Sequence, residues 1–182
     1  MQTELAMILT ELSGTLGKIP EKAVEQLADA VLGAKRVFAA GVGRSGLAAR
    51  GFAMRLMHMG ITAFVCGETV TPAFGSGDLL LVVSGSGSTS ALVNMAEKVR
   101  RLGGRIALVT TRPESPIGRL AALTVEIPAP TRERMDAAPS VQPMGTLFEQ
   151  CSTLFLDAAV LRLMARTGCT AAEMAARHAN LE

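Results

Sequence analysis

Tryptophan and tyrosine are absent from this chain, and six phenylalanines are its only large aromatic side chains. Proteins that hold nucleic acid combine clustered Lys and Arg with aromatic stacking platforms, whereas the net charge here is only +2. The densest basic run, Lys98-Val-Arg-Arg101, closes a predicted helix, where cations complement the dipole. No DNA or RNA partner is expected. Cysteine is scarce too: Cys66, Cys151 and Cys169 are odd in number and show neither CxxC nor other metal-like spacing. No metal is expected. No apolar run approaches the roughly 18–20 residues that span a bilayer, so no membrane partner is expected either. Met1-Gln-Thr-Glu-Leu5 lacks the basic and apolar regions of a secretory signal. With this cysteine usage, a reduced, cytoplasmic setting fits best. A G-x-S-x-G elbow is also missing, so Ser45 and Ser86 are read as ligands for an anion rather than as nucleophiles.

What is present is a change of rhythm. Leu5, Ile8, Leu12 and Leu16 recur at helical spacing, and a second helix runs from Pro20 through Val24, Leu27, Val31 and Leu32 to Gly33. From there short apolar runs alternate with amphipathic stretches. Strands are predicted at 36–42, 62–66, 78–84, 105–110 and 123–127, and helices at 45–59 and 88–102. That alternation is the pattern of a parallel sheet covered on both faces. Pro128, Pro130, Pro139 and Pro143 make 128–143 an irregular connection. A long helix comes next at 144–166, apolar on most sides, with Gly168 to end it and Thr170 to cap a short last helix. With no repeat and no linker, residues 1–182 are read as one domain: a helical extension 1–33, a core 34–166 and a tail 167–182. The two amphipathic N-terminal helices are too poor in Lys and Arg to read DNA, and are expected to bury their stripes on a neighbouring subunit.

Two turns carry the chemistry. Gly41-Val-Gly-Arg-Ser-Gly46 and Ser84-Gly-Ser-Gly-Ser-Thr-Ser90 each come after a predicted strand and open a predicted helix. Small residues there let backbone N–H groups converge on an anion, which the helix dipole favours. Taken literally, Gly41, Gly43 and Gly46 match a dinucleotide fingerprint, with Glu68 placed as a ribose carboxylate. Arg44 and Ser45 put a charge and a hydroxyl where that fingerprint wants bare backbone. One hydroxyl suffices to cap a helix, yet the second turn offers five. A single phosphate shared by both turns accounts for both.

Glu149 heads a helical row continued by Thr153, Leu156, Val160 and Leu163. A carboxylate at the head of an apolar strip is partly desolvated, which suits it to accept a proton. The plainer reading is an exposed first-turn glutamate favoured by the dipole. His58 sits among methionines and reads as a structural histidine. His178, in the polar tail, is either solvated or reaches a neighbouring subunit's pocket.

Several blocks together resemble one family. They are Gly41-Val-Gly-Arg-Ser-Gly46, Phe52-Ala-Met-Arg-Leu-Met-His58, Gly67-Glu-Thr69 with Thr71-Pro72, Ser84-Gly-Ser-Gly87, Pro143-Met-Gly-Thr146 with Phe148-Glu149, and Arg177-His-Ala-Asn-Leu181. Over nearly the whole chain these are similar to the 6-phospho-3-hexuloisomerases, a family within the sugar isomerase (SIS) domain proteins. The resemblance implies an α/β fold: a three-layer α-β-α sandwich around a five-stranded parallel sheet, with two N-terminal helices and a long C-terminal helix. It implies a sugar phosphate as ligand, a homodimer or homotetramer, and neither metal nor organic cofactor. The activity implied is interconversion of D-arabino-3-hexulose 6-phosphate and D-fructose 6-phosphate, in the ribulose monophosphate route of formaldehyde fixation. Candidate substrate-binding residues are Gly43, Arg44 and Ser45 at the first turn and Ser84, Gly85, Ser86, Gly87, Ser88 and Thr89 at the second. Glu149, as proton acceptor, and His178 are the catalytic candidates. The alternatives are another SIS aldose–ketose isomerase, such as one acting on arabinose 5-phosphate, and a non-catalytic sugar-phosphate sensor.

Overall fold

Apolar runs too short for helices become five parallel strands: β1 (Val37–Gly41), β2 (Ala63–Val65), β3 (Leu79–Val83), β4 (Arg105–Thr110) and β5 (Leu123–Glu126). The computed structural model describes residues 3–130 and 140–181, so Pro139 of the predicted connection lies outside the described residues. The strands pair in the order β2-β1-β3-β4-β5. All four pairings are parallel, with Leu81 aligned to Ala39 and Ala107. β3 is buried at every position, as a central parallel strand read from a continuous Leu-Leu-Leu-Val-Val run should be.

Period-two alternation distributes the strand side chains to two cores. Val37, Ala39, Leu79 and Leu81 face one side; Phe38, Ala40, Leu80 and Val82 face the other. The first side is covered by α2 (Lys22–Leu32), α3 (Gly43–His58) and α5 (Thr146–Thr167), with α1 (Glu4–Leu16) against α5. The second is covered by α4 (Ser90–Arg101), a 3-10 turn at Gly118–Leu120, and the β2–β3 connection through Phe74. The three-layer sandwich is as expected, and the strand bounds agree with the sequence reading to within a residue. Gly168, at φ +72°, ends α5. A Thr170–Glu173 capping box starts α6 (Ala171–Ala176).

One expectation is corrected. The α2 stripe does not wait for a neighbouring subunit: Leu27, Ala28 and Val31 are fully buried in the chain's own core. The cause is α5, whose apolar residues on several sides need a cover beyond the sheet. α1 is divided, with Leu12 and Leu16 packed inward while Leu5 and Leu9 remain exposed.

Candidate active site

In a sheet ordered 2-1-3-4-5, the chain leaving β1 and the chain leaving β3 turn to opposite faces, and a crevice opens between their carboxyl ends. α3 succeeds β1 on one face and α4 succeeds β3 on the other, so both hydroxyl-and-glycine turns sit at that switch point. A cavity of about 520 Å³ lies there. Arg44 and Ser45 line it from the first turn, Ser84, Gly85, Ser86 and Thr89 from the second, and Gly145, Thr146 and Glu149 from the start of α5. Three helix N-termini therefore converge on one space, and each dipole favours negative charge there.

The two turns reach this geometry differently. In the first, glycine allows strand and helix to touch: a Cβ on Gly46 would lie 2.7 Å from the Gly41 carbonyl oxygen. That contact explains Gly41 and Gly46 without a dinucleotide, and Glu68 is engaged by Arg50 Nη1 at 2.6 Å. In the second, side chains build the turn. The Gly85 carbonyl accepts from Thr111 N at 3.1 Å, Thr110 Oγ1 at 3.0 Å and Thr111 Oγ1 at 2.9 Å. Ser84 Oγ accepts from Gly87 N at 3.1 Å, and Ser86 Oγ from Ser88 N at 3.3 Å. A hydroxyl that accepts from its own loop keeps its proton to donate to a ligand oxygen. Thr89 is the N-cap of α4 by position, but its side chain makes no capping bond. Five hydroxyls thus exceed the needs of a cap, as the sequence suggested, and two of them organise the turn itself.

Glu149 is one turn into α5, its side chain 21% exposed, with Oε2 2.5 Å from Arg44 Nε. The pair forms the wall between this cavity and a second groove of about 460 Å³ between α3 and α5, lined in part by Leu47, Met54 and Gln150. Neither the apolar-row reading nor the exposed-glutamate reading anticipates the arginine, which arrives from another helix.

Not every candidate joins the site. Gly43 (φ +60°), Gly87 and Ser88 do not line the cavity. Gly87 is buried, and a Cβ there would fall 2.1 Å from Ser115 Oγ, so its place in the turn is one of packing. His178 is elsewhere. Its ring stacks on His58 at 5.3 Å, at the far end of α3. Beside it Arg177 Nη1 donates to the His58 carbonyl at 3.0 Å, closing that helix end. His58 is a buried structural histidine, as expected, and burial, with His178 and Arg55 nearby, holds its pKa below the ordinary value. Burial pushes the Cys66 and Cys151 thiols up to about 11, so neither supplies a thiolate near neutral pH.

The sequence reading missed Pro143, Met144, Gly145 and Thr146 as cavity wall. Their signal was available: a proline and a glycine immediately before the helix that carries Glu149. Among the described residues, no three His, Cys, Asp or Glu side chains cluster as a metal site, and no helix is long and apolar enough to cross a membrane.

The SIS domain profile matches residues 31–155, which span both turns and Glu149. The chain belongs to the SIS domain family. Within it, the chain is 44% identical to the 3-hexulose-6-phosphate isomerase of Bacillus subtilis over 179 residues, 98% of this chain and 97% of that one. It is 45% identical to the enzyme of the same name from Mycobacterium gastri, over 98% of this chain and 89% of that one. A hypothetical protein from Methanococcus jannaschii has a crystal structure from which a molecular function of 3-hexulose-6-phosphate isomerase was inferred. It shares the fold with a TM-score of 0.84 at 32% identity, covering 98% of this chain and 99% of that one.

Proposed function

We propose that this SIS protein is an isomerase that interconverts D-arabino-3-hexulose 6-phosphate and D-fructose 6-phosphate. The observation that carries the reading is one cavity faced by donor hydroxyls at two helix N-termini and, across it, by a single carboxylate on a third helix. Relatives named for this reaction at 44–45% identity supply the substrate class. The phosphate sits between the two turns, held by Ser45, Ser84, Ser86 and Thr89. That grip, remote from the reacting carbons, fixes the register of the sugar.

Moving the carbonyl from C3 to C2 begins when Glu149 takes the C2 proton and the electron pair passes to the C3 oxygen. The resulting enediolate is met by Arg44 or by backbone N–H groups of the first turn. Glu149 returns a proton to C3, the hydroxyl proton on O2 passes to O3, and the carbonyl is left at C2. One carboxylate over the C2–C3 bond performs both carbon transfers.

His178 belongs to a different step and to a second copy of the chain. A 3-ketose phosphorylated at O6 has no hydroxyl placed to close a five- or six-membered ring, whereas fructose 6-phosphate closes through O5. An acid–base histidine therefore matters for ring opening of fructose 6-phosphate. Exposed Leu47, Met54 and Met57 on α3 and Leu154 and Leu161 on α5 provide apolar surface for a homodimer or homotetramer. The same reading takes 1–182 as one domain working in the cytoplasm, in formaldehyde fixation by the ribulose monophosphate route.

The test is direct. Enzymatically generated 3-hexulose 6-phosphate is incubated with the protein, and fructose 6-phosphate is monitored. Steady formation is expected; none at micromolar enzyme removes the proposal.

A further inference from the structure

We infer that Glu11, on α1 and outside the cavity, is a positioning residue for Glu149. The inference rests on the isomerase reading of the cavity. It starts from an arrangement that the cavity does not explain. Glu11 Oε1 accepts from Val141 N at 2.7 Å, and Oε2 accepts from Ser140 Oγ at 2.8 Å and Gln142 Nε2 at 3.0 Å. Gln142 N in turn donates to Ser140 Oγ at 3.0 Å. Three consecutive residues are thus tied to one side chain 129 to 131 positions earlier in the chain. Burial alone would push the Glu11 carboxyl up, but hydrogen bonds from Gln142, Val141 and Ser140 outweigh it and hold the pKa below the ordinary value. The clamp is anionic at neutral pH, and bonds to a charged acceptor are the stronger kind.

The backbone between the clamp and α5 has little slack. Pro143 has its φ set by the ring. Met144 has φ +56°, and it is the one non-glycine residue with positive φ among those described. The residue is 75% exposed, so packing does not hold it there. A backbone conformation of that kind persists only where its surroundings over-determine it. On one side stands the Glu11 clamp. On the other, Thr146 donates from both N and Oγ1 to the Pro143 carbonyl, and Glu149 N donates to Gly145 O at 3.0 Å. Glu149 therefore inherits its position from a strained turn that is pinned through α1. The phosphate turns hang from β1 and β3 instead, and the first of them meets Glu149 through Arg44.

The experiment separates the two dependences. Glu11→Ala and Glu11→Gln are compared with wild type for kcat, for inhibition by inorganic phosphate, and for amide hydrogen exchange. Glu11→Ala should lower kcat roughly 10- to 100-fold, the scale of a misplacement near 1 Å, with the phosphate inhibition constant within about twofold. Exchange should quicken across 140–149 and stay unchanged across 84–90. Glu11→Gln, which keeps one acceptor oxygen, should fall between. Wild-type kcat in Glu11→Ala overturns the inference. So does loss of phosphate binding in parallel with kcat, or exchange that quickens everywhere or nowhere, in both variants. If wild type itself produces no fructose 6-phosphate, the functional reading fails and the exchange pattern alone decides on Glu11.

Discussion

The two ends of α3 hold the two catalytic candidates, and they are built to opposite plans. At the N-terminus Glu149 and the hydroxyl turns face an open cavity. At the C-terminus, about 22 Å away at 1.5 Å of rise per residue, lie Arg55, His58, His178 and Arg177. Arg55 and Arg177 suit the carbonyl end of the dipole, and the Glu149 carboxylate lies near the amide end. The difference is occupancy. Arg177 already takes the His58 carbonyl, so the chain's own tail fills the position a ligand would need. The cavity end is lined instead by the hydroxyl turns and by the Arg44–Glu149 pair. One end of the helix borders the cavity, and the other docks the tail that carries His178.

Substitutions should keep the two ends apart. Glu149→Gln is expected to lower kcat by roughly 10²–10⁴, the range for a general base, while phosphate inhibition survives; steady-state kinetics checks both. Retained turnover would move the base elsewhere. Gly87→Ala puts a methyl group 2.1 Å from Ser115 Oγ at φ +59°. Overpacking together with left-handed backbone should destabilise the fold by roughly 2–4 kcal/mol in urea titrations, and weaken phosphate inhibition with it. The same change in an open loop would do neither.

A pH series compares the two poles without mutation. The His58 pKa is lowered from 6.5, chiefly by burial and then by His178 and Arg55. Below 6.5 the unfolded chain takes up a proton that the folded chain refuses, so stability falls as pH drops and is level above. The Glu11 pKa is lowered from 4.5. Its contribution is intact above 4.5 and is lost only as pH falls on through the folded value. Urea midpoints should therefore decline in two steps, the first through His58 and the second, in acid, through Glu11 together with Asp78 and Glu173, whose pKa values are lowered as well. His58→Gln should erase the upper step alone. The smallest effect is reserved for His178→Ala. The residue is exposed, so losing its stacking on His58 should shift the urea midpoint only slightly, while turnover of fructose 6-phosphate should fall more than turnover of the 3-ketose. Equal loss in both directions would remove the ring-opening role.

Much of the architecture was legible from periodicity. Strand bounds came within a residue, because an apolar run in a parallel sheet is interrupted only where the chain leaves the core. Gly168 and Thr170 announced the end of α5 and the start of α6 through backbone requirements that few other residues meet. The hydroxyl-rich turn was legible as well, since it held more side-chain oxygens than a helix cap needs. Three features were not. α2 packs on its own α5 because that helix exposes apolar surface beyond the sheet, and one helix's stripe does not say what will cover it. The Arg44–Glu149 pair joins two helices that stand about a hundred residues apart along the chain. The tail histidine's partner, His58, is equally distant.

By itself, then, the sequence determined the elements, their order and the chemical character of the two turns, because these arise from local backbone preference and the spacing of apolar residues. Tertiary structure alone decided which side chains share the cavity. It drew Arg44 to Glu149, tied Glu11 to 140–142 and stacked His178 on His58 at the opposite pole. Those pairings depend on the order in which strands enter the sheet and the face to which each helix returns, and no local pattern encodes either.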